Sequence, residues 1–441
     1  MEGSLKAKTL NSSRNILNTL LLVAGLLLLP QLLLAETKYM GAATCASSNC
    51  HGGVKPKSSS VVLQNEYTTW FRHDAHARAY EVLREEDSKI IAKHLGLGSP
   101  ENEPLCLSCH ATFVPSQVKG PKFRLSDGVS CESCHGAAEN YLKTHTTKGR
   151  TNKDNIKDGM KDLASLDVRS KVCLDCHAGN DDKNVNHRLI GAGHPRLTFE
   201  LDTFSMLQPN HWQVDNDYTE RKGEYVPMRS WLLGQAYRSQ RMLEALQSKK
   251  RAKVGVLPEL SLFYCYSCHH SLEEEQWKSR SYNGAPGELH LNISSLIVLR
   301  EALMVIDENL SSKLGTNLKL LHKSYTQGAE EQVVSNISVL LSASIIPRLE
   351  AIKENKATAK KLLKQIVNYS VSEKFLPYEI AEQCAMAMSV LLTTVDPTLK
   401  LYEEGISAVY ESLEKEKSFK PEQFSKASQA LHEMLKSNNA Y

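Results

Sequence analysis

The segment GVSCESCHG, Gly128–Gly136, holds two cysteines separated by two residues, with a histidine directly after the second cysteine. The same spacing occurs three more times, as CLSCH, CLDCH and CYSCH, in the segments Cys106–His110, Cys173–His177 and Cys265–His269. In a chain of 441 residues with 11 cysteines and 16 histidines, random placement would produce about 0.01 such motifs. Four copies therefore require a chemical explanation.

Covalent haem attachment explains this spacing. Two thiols add to the two vinyl groups of a haem, and the histidine of the same turn binds the iron. Zinc, the alternative metal for paired Cys-x-x-Cys sites, does not require a histidine directly after the second cysteine. The motifs therefore predict haem c at four sites, attached through Cys106, Cys109, Cys131, Cys134, Cys173, Cys176, Cys265 and Cys268, with iron ligands His110, His135, His177 and His269.

A fifth cluster, TCASSNCHGG at Thr44–Gly53, has four residues instead of two between Cys45 and Cys50, and His51 follows. The intervening residues are small or turn-forming, so the extra length can bulge outward while both sulfurs reach one haem. This cluster predicts a fifth haem; the alternative is a local disulfide between the two cysteines. Of the 11 cysteines only Cys384 remains, and its apolar neighbours predict a buried core thiol.

Residues 1–35 have the features of an export signal, because Lys6, Lys8 and Arg14 precede an apolar run from Leu20 to Ala35. The alternative is an uncleaved membrane anchor. In both cases the rest of the chain is expected outside the cytoplasm, in a bacterial periplasm. The net charge is only +3, and basic residues form no stripe, which argues against a nucleic-acid partner.

Low-spin c-type haems that transfer electrons usually carry a second axial ligand, and a haem without one can bind a substrate. Candidates are the histidines of this region outside the motifs: His73, His76, His94, His145, His187, His194, His211 and His270. Alanines flank His76, so a flat macrocycle could approach the backbone there. His145 follows the third motif closely, and His194 lies between Gly193 and Pro195.

The order and wording of these segments resemble the cytochrome c-554 family of multihaem electron carriers. The matching features are the first Cys/His cluster, Trp70 with DAHARAYEVL, then LCLSCH, GVSCESCHG and VCLDCHAG, over roughly Gly41–Gly179.

The resemblance implies that His76 is the second ligand opposite His135 and that His145 is the second ligand opposite His51. It also implies an open or weakly covered iron face at His110. The fourth and fifth haems have no counterpart assignment, and reach along the chain favours His194 and His187 for them, with His211 third.

Beyond about Gly287, apolar residues recur at helical spacing without haem motifs, which predicts a helical bundle. The predicted fold is mainly α: an export signal or anchor at 1–35, a pentahaem cytochrome c domain with short helices and long loops at 36–285, and a helical domain without haem at 286–441. The helices of that last domain place His290, His322 and His432 on its surface.

Two functional hypotheses follow. The first is an exported electron carrier with closely packed, mostly bis-histidine haems, between a quinone-linked donor and a soluble or membrane-bound acceptor. The second is a haem enzyme acting on nitric oxide, hydroxylamine or nitrite at a five-coordinate haem near His110. No Cys-x-x-Cys-Lys motif occurs, which counts against nitrite reduction of the pentahaem reductase type.

Overall fold

The computed structural model describes residues 36–58, 60, 62–269, 289–326, 328, 330–353, 355–373, 376–438 and 440. The predicted export signal, His270 and the predicted boundary at residues 285 and 286 lie outside these residues. The described chain is mainly α, as the sequence predicts. Residues 38–441 form one compact unit by their contacts.

The first half of this unit consists of short helices joined by long loops. The helices are α1 (Glu66–His73), α2 (Ala79–Val82), α3 (Glu86–Leu95), α4 (Pro104–His110), α5 (Cys131–His135), α6 (Asn152–Lys157), α7 (Leu166–His177), α8 (His187–Gly191), α9 (Leu201–Leu207) and α10 (Asn216–Lys222). The longest of them, α7, has 12 residues. Helices this short are marginal by themselves, so packing must hold them in place.

Longer helices follow, and they form the main hydrophobic core. They are α11 (Pro227–Gln247), α12 (Ser294–Ile306), α13 (Glu308–Thr326), α14 (Glu331–Leu340), α15 (Ile346–Glu350), α16 (Lys356–Ser372), α17 (Tyr378–Val395), α18 (Glu403–Glu411) and α19 (Pro421–Ser437). A short antiparallel hairpin, β1 (Lys253–Val254) and β2 (Leu257–Pro258), follows α11.

Helix α11 lies between the two groups of helices. It starts with Pro227, which is tolerated at a first helical position because its missing N–H would have no partner there. Trp231, Leu232 and Ala236 are fully buried. The helix contacts α7 and α9, which precede it in the sequence, and α12 and α17, which follow it. One core cluster therefore runs from Leu174 to Ala440.

The part of the chain around the first motifs has a much smaller core of its own. Its separate cluster contains four buried residues, Tyr80, Leu83, Leu107 and Ala111. So few buried apolar side chains cannot offset the conformational entropy of long ordered loops. A large apolar group held within this region would supply the missing buried surface.

Two predictions for the helical region have different outcomes. Cys384 is fully buried in the core, as predicted. His290, His322 and His432, predicted on the surface, are instead at most 9% exposed. The rings of His290 and His322 pack against each other with centroids 5.6 Å apart. Helical periodicity did not reveal the burial of His322 and His432, and His290 lies before α12, outside the helices.

The segment Glu331–Glu350 is long and apolar enough to cross a membrane by length and composition alone. One face of it is buried in the protein core through Val334, Ile337 and Leu341. This face explains its apolar character, since a surface helix of a globular protein carries an apolar stripe toward the core.

Candidate haem-binding sites

Three of the regular motifs lie at the ends of short helices. Helices α4, α5 and α7 each end at the motif histidine. Residues three and four apart share a helix face, so the two cysteines and the histidine of each motif are neighbours. The fifth motif forms a 3₁₀ turn, and its His269 N–H donates to the Cys265 carbonyl at 2.9 Å.

The expanded first cluster reaches the same backbone arrangement by a different route. The His51 N–H donates to the carbonyl of Cys45 at 3.2 Å, as His269 does to Cys265. The extra residues form a separate turn, in which the N–H of Cys50 donates to the Ser47 carbonyl at 2.8 Å. Both cysteines are free thiols in the structure. The longer spacing thus leaves the histidine in the usual relation to the first cysteine.

Gly52 is required for this turn to close. A Cβ atom at that position would lie 1.9 Å from the carbonyl oxygen of Ala46, far inside contact distance. The glycine after the motif histidine therefore has a steric role that the motif definition does not include.

Each of the five motif histidines faces one histidine from outside the motifs. The distances between ring centroids are 6.2 Å for His51 and His145, 6.1 Å for His177 and His76, 6.3 Å for His110 and His194, 6.4 Å for His135 and His211, and 6.3 Å for His269 and His187.

This separation fits one metal ion between two imidazoles. A bond from metal to imidazole nitrogen is about 2.0 Å long and the ring centre lies about 1.1 Å further on, so two opposed ligands place their centroids about 6.2 Å apart. Direct stacking of two rings would allow closer approach, at about 4.5 Å. The donor set and its spacing therefore fit a six-coordinate haem iron at all five positions.

The ring planes fall into two groups. The pairs His51–His145 and His187–His269 are close to parallel, with interplanar angles of 12° and 27°. The other three pairs are steeply inclined, at 87°, 89° and 71°.

The structure agrees with one pairing that the resemblance implied and differs from the other. His145 faces His51, as expected. The pairing of His76 with His135 is wrong for this chain, because His76 faces His177 and His211 faces His135. The segment between the fourth and fifth motifs, which lies beyond the resemblance, supplies His211. In that segment Gln208 donates a hydrogen bond to Asp74, and this bond holds the segment beside His76.

The expected open face at His110 is also absent from the structure. His194 faces it, with centroids 6.3 Å apart. Reach along the chain favours His194, His187 and His211 for the fourth and fifth haems. Of these three histidines, only His187 faces one of the two motif histidines concerned, His269. His194 follows α8 and faces the end of α4, and it also lines one cavity together with His177 and His269.

Hydrogen bonds orient many of these rings. Backbone carbonyls accept from the Nδ1 atoms of His110, His145 and His194 at 2.7–3.0 Å. In two other cases a carboxylate accepts from Nδ1: Glu66 accepts from His51, and Asp74 accepts from His76, each at 2.9 Å. A bond at Nδ1 leaves Nε2 as the free acceptor that a metal requires.

The electrostatic environment separates the histidines into two kinds. Burial lowers the pKa of His135 and of His177 to about 4. Both imidazoles are therefore neutral at pH 7, the form that binds metals. Hydrogen bonds to Glu66 and to Asp74 instead raise the pKa of His51 and of His76, respectively.

The motif cysteines approach one another in two places. The thiols of Cys45 and Cys131 are close enough to shift each other's pKa, as are those of Cys109 and Cys176. Lys183 Nζ lies 3.4 Å from the Cys176 sulfur. The contact with Cys109 and the charge of Lys183 lower the pKa of the Cys176 thiol to about 6. The first and third motifs are therefore adjacent, as are the second and fourth.

A cavity of 1640 Å³ is lined by His187 and His269 of the fifth pair, and His177 and His194 of two other pairs also line it. Ligand pockets usually measure about 300–1,000 Å³, so there is room for a large group. Residues from both parts of the chain form its walls, including Arg238 of α11 and Glu379 of α17. The helical region without motifs therefore contributes directly to this site.

Sequence reasoning missed the residues that orient and surround the ligands. Asp74 had a local signal, since it lies two residues before His76 and accepts from its backbone N–H as a helix cap. Glu66 and Arg238 had no local signal in the sequence, because long-range packing brings Glu66 to His51 and Arg238 to the cavity.

The chain matches known proteins over its first motifs. Residues 37–136 match the family model described as cytochrome c554 and c-prime. The cytochrome c-554 of Nitrosomonas europaea is 30% identical over 158 residues, which cover 33% of this chain and 60% of that protein. The match thus spans less than two thirds of the relative's length. No solved structure matches the chain.

The motifs at Cys106 and Cys131 and the first cluster all lie within the matched residues. The fourth motif, the fifth motif and the long helices lie beyond the family model. Residues 37–136, which hold three of the five Cys/His clusters, are therefore similar to the cytochrome c554 and c-prime family.

Proposed function

We propose that this protein is an exported pentahaem cytochrome c that carries electrons and performs no chemistry on a substrate. Each motif histidine, His51, His110, His135, His177 and His269, would bind one iron. The facing histidines, His145, His194, His211, His76 and His187, would complete the coordination. When bound, haem supplies a one-electron couple at each iron.

The observation that carries this proposal is the presence of a second imidazole opposite every motif histidine. A six-coordinate iron has no free position for a small molecule, so it exchanges electrons without binding a substrate. The His110–His194 pair is the strongest support for the carrier proposal, since the enzyme alternative needs an open face at that position. No observation on the described residues favours the enzyme reading.

The contacts between motifs support electron transfer within the protein. Cys45 lies against Cys131, and Cys109 against Cys176. Haems attached at these sulfurs would have neighbouring edges. The protein's own part is to hold the groups close, exclude water and set potentials through ligand orientation and charge.

The proposed setting is the periplasm, with a quinone-linked donor and a soluble or membrane-bound acceptor. Support comes from the sequence of residues 1–35, which has the pattern of an export signal. An uncleaved N-terminus would also tether the protein to the membrane in which quinones reside.

Two measurements on the purified mature protein test the proposal. Mass spectrometry should find five haems per chain and a new N-terminus near residue 36. Optical and electron paramagnetic resonance spectra of the oxidised protein should contain only low-spin haem and remain unchanged by nitric oxide or cyanide. A high-spin component that binds either ligand would support the enzyme alternative and overturn the carrier proposal.

A further inference from the structure

The cavity at His187 and His269 has an excess of positive charge in its walls. Among the described residues, four arginines and three lysines line it, against two carboxylates, Glu379 and Glu416. Burial raises the pKa of Glu379. Charges at low dielectric are costly without partners, so the walls favour an anionic occupant.

Two arginines of these walls, Arg238 and Arg251, have no ion pair within the described residues, and Arg251 donates to the carbonyls of Gly179 and Ala178. The Arg238 guanidinium donates to the Ser295 hydroxyl at 2.9 Å and to the Ser294 hydroxyl at 3.4 Å, both uncharged partners. Within the described residues no carboxylate oxygen lies within 4.0 Å of it, whereas Arg241 on the same helix pairs with Asp175 at 2.7 Å. Arg238 is therefore a desolvated cation without an ion pair.

Two carboxylates of this region, Glu382 and Glu416, already pair with Arg196, and Glu379 accepts from the backbone N–H of Cys265. Glu382 accepts from Arg196 at 2.9 Å and from the Thr198 hydroxyl at 2.5 Å. Glu416 also accepts from Arg196, through both oxygens. These bonds neutralise Arg196 and leave Arg238 facing the cavity. Arginine stays protonated in proteins, so an anionic group in the cavity would be attracted to its charge.

We infer that Arg238 binds a propionate carboxylate of the fifth haem and holds the potential of that haem high. This inference rests on the proposed function, since it requires haem between His187 and His269. Propionates are the anionic groups of haem, and a guanidinium fork suits a carboxylate. A positive charge near the iron disfavours the oxidised form, which carries one more positive charge than the reduced form.

The test compares three variants of the full-length, haem-loaded protein: Arg238→Gln, Arg238→Lys and Arg229→Gln. Arg229 is a matched control, because it lies on the same helix and, within the described residues, donates only to the carbonyls of Ile352 and Glu224. Haem content is measured by mass spectrometry and the individual haem potentials by spectroelectrochemical titration.

Arg238→Gln should lower the potential of one haem and leave the other four unchanged, or should lower the fraction of chains that carry the fifth haem. Arg238→Lys should remain close to the unmodified protein in both respects, because the charge is kept. Arg229→Gln should change neither. If Arg238→Gln keeps five haems with unchanged potentials, or if Arg238→Lys is as impaired as Arg238→Gln, the assignment is wrong.

These outcomes are distinct from a failure of the proposed function. If the unmodified protein carries four haems and none at Cys265 and Cys268, the pentahaem proposal fails before the variants are compared. If it carries five and the variants show no effect, only the role of Arg238 is excluded.

Discussion

The Oδ1 atom of Asp74 lies 2.9 Å from Nδ1 of His76, and the other carboxylate oxygen accepts from Gln208 at 3.0 Å. Asp74 is only 2% exposed, and hydrogen bonds from His76 and Gln208 outweigh burial to lower its pKa to about 2. It is therefore ionised at neutral pH. A carboxylate at Nδ1 makes the imidazole a stronger donor at Nε2.

Replacing Asp74 should therefore raise one haem potential. In Asp74→Asn the imidazole of His76 donates less electron density to the iron, and the oxidised form loses stabilisation. Spectroelectrochemical titration should show one of the five potentials shifted upward with five haems retained. The exposed Asp87 of α3 provides the control, and Asp87→Asn should leave all potentials unchanged. A downward shift would contradict this role for Asp74.

The ring angles predict two classes of low-spin signal. The relative orientation of two axial imidazoles sets the splitting of the iron orbitals that interact with them. Near-perpendicular planes leave two of these orbitals nearly degenerate and give strongly anisotropic spectra. Electron paramagnetic resonance of the oxidised protein should show three strongly anisotropic centres, from the pairs at 87°, 89° and 71°.

The two near-parallel pairs, at 12° and 27°, should give less anisotropic signals. Magnetic coupling between neighbouring haems broadens such spectra, so partly reduced samples are measured as well. Five centres of one class would show that the ring orientations in solution differ from those in the structure.

Gly52→Ala should interfere with haem attachment at the first cluster. The new methyl group would collide with the carbonyl of Ala46 and prevent the turn that brings His51 back to Cys45. Mass spectrometry should find a large share of chains with four haems instead of five. Gly191 has open space around its Cα, so Gly191→Ala should keep five. Full loading of the Gly52 variant would mean that the turn can open without loss of the site.

Asp202 should make stability depend on pH. It is 2% exposed and accepts from the Tyr225 hydroxyl at 2.5 Å. Burial, followed by the nearby charge of Glu200, raises its pKa from 3.8 to about 7. The folded state thus favours the protonated acid. The stabilisation of the folded state by Asp202 is fully present below about pH 4 and is lost as the pH rises through 7.

For this group alone, the free energy of unfolding should fall by roughly 2–4 kcal/mol between about pH 4 and pH 8. Denaturant unfolding at several pH values measures it. Asp202→Asn should flatten the slope in this range and be more stable than the unmodified protein at pH 8. Asp87→Asn should keep the original slope. An unchanged slope in Asp202→Asn would assign the pH dependence to other groups.

The amino-acid sequence by itself determined the chemistry and the local geometry of this protein. Cysteine and histidine at fixed spacing define the attachment sites, because residues three and four apart share one turn of backbone. Apolar periodicity identified the long helices and the buried Cys384. The irregular first cluster could also be interpreted as a haem motif from the sequence, because its extra residues form a turn of their own.

The tertiary structure decided which partner each local motif meets. Five histidines outside the motifs were recognisable as candidates, yet spacing could not tell that His76 faces His177 or that His194 covers His110. Those choices depend on how distant segments pack, as in the bond between Gln208 and Asp74. The same holds for Arg238, which reaches the fifth pair only because α11 lies between the motif helices and the helical region. Local chemistry is encoded by spacing, whereas pairing across the chain follows from long-range packing.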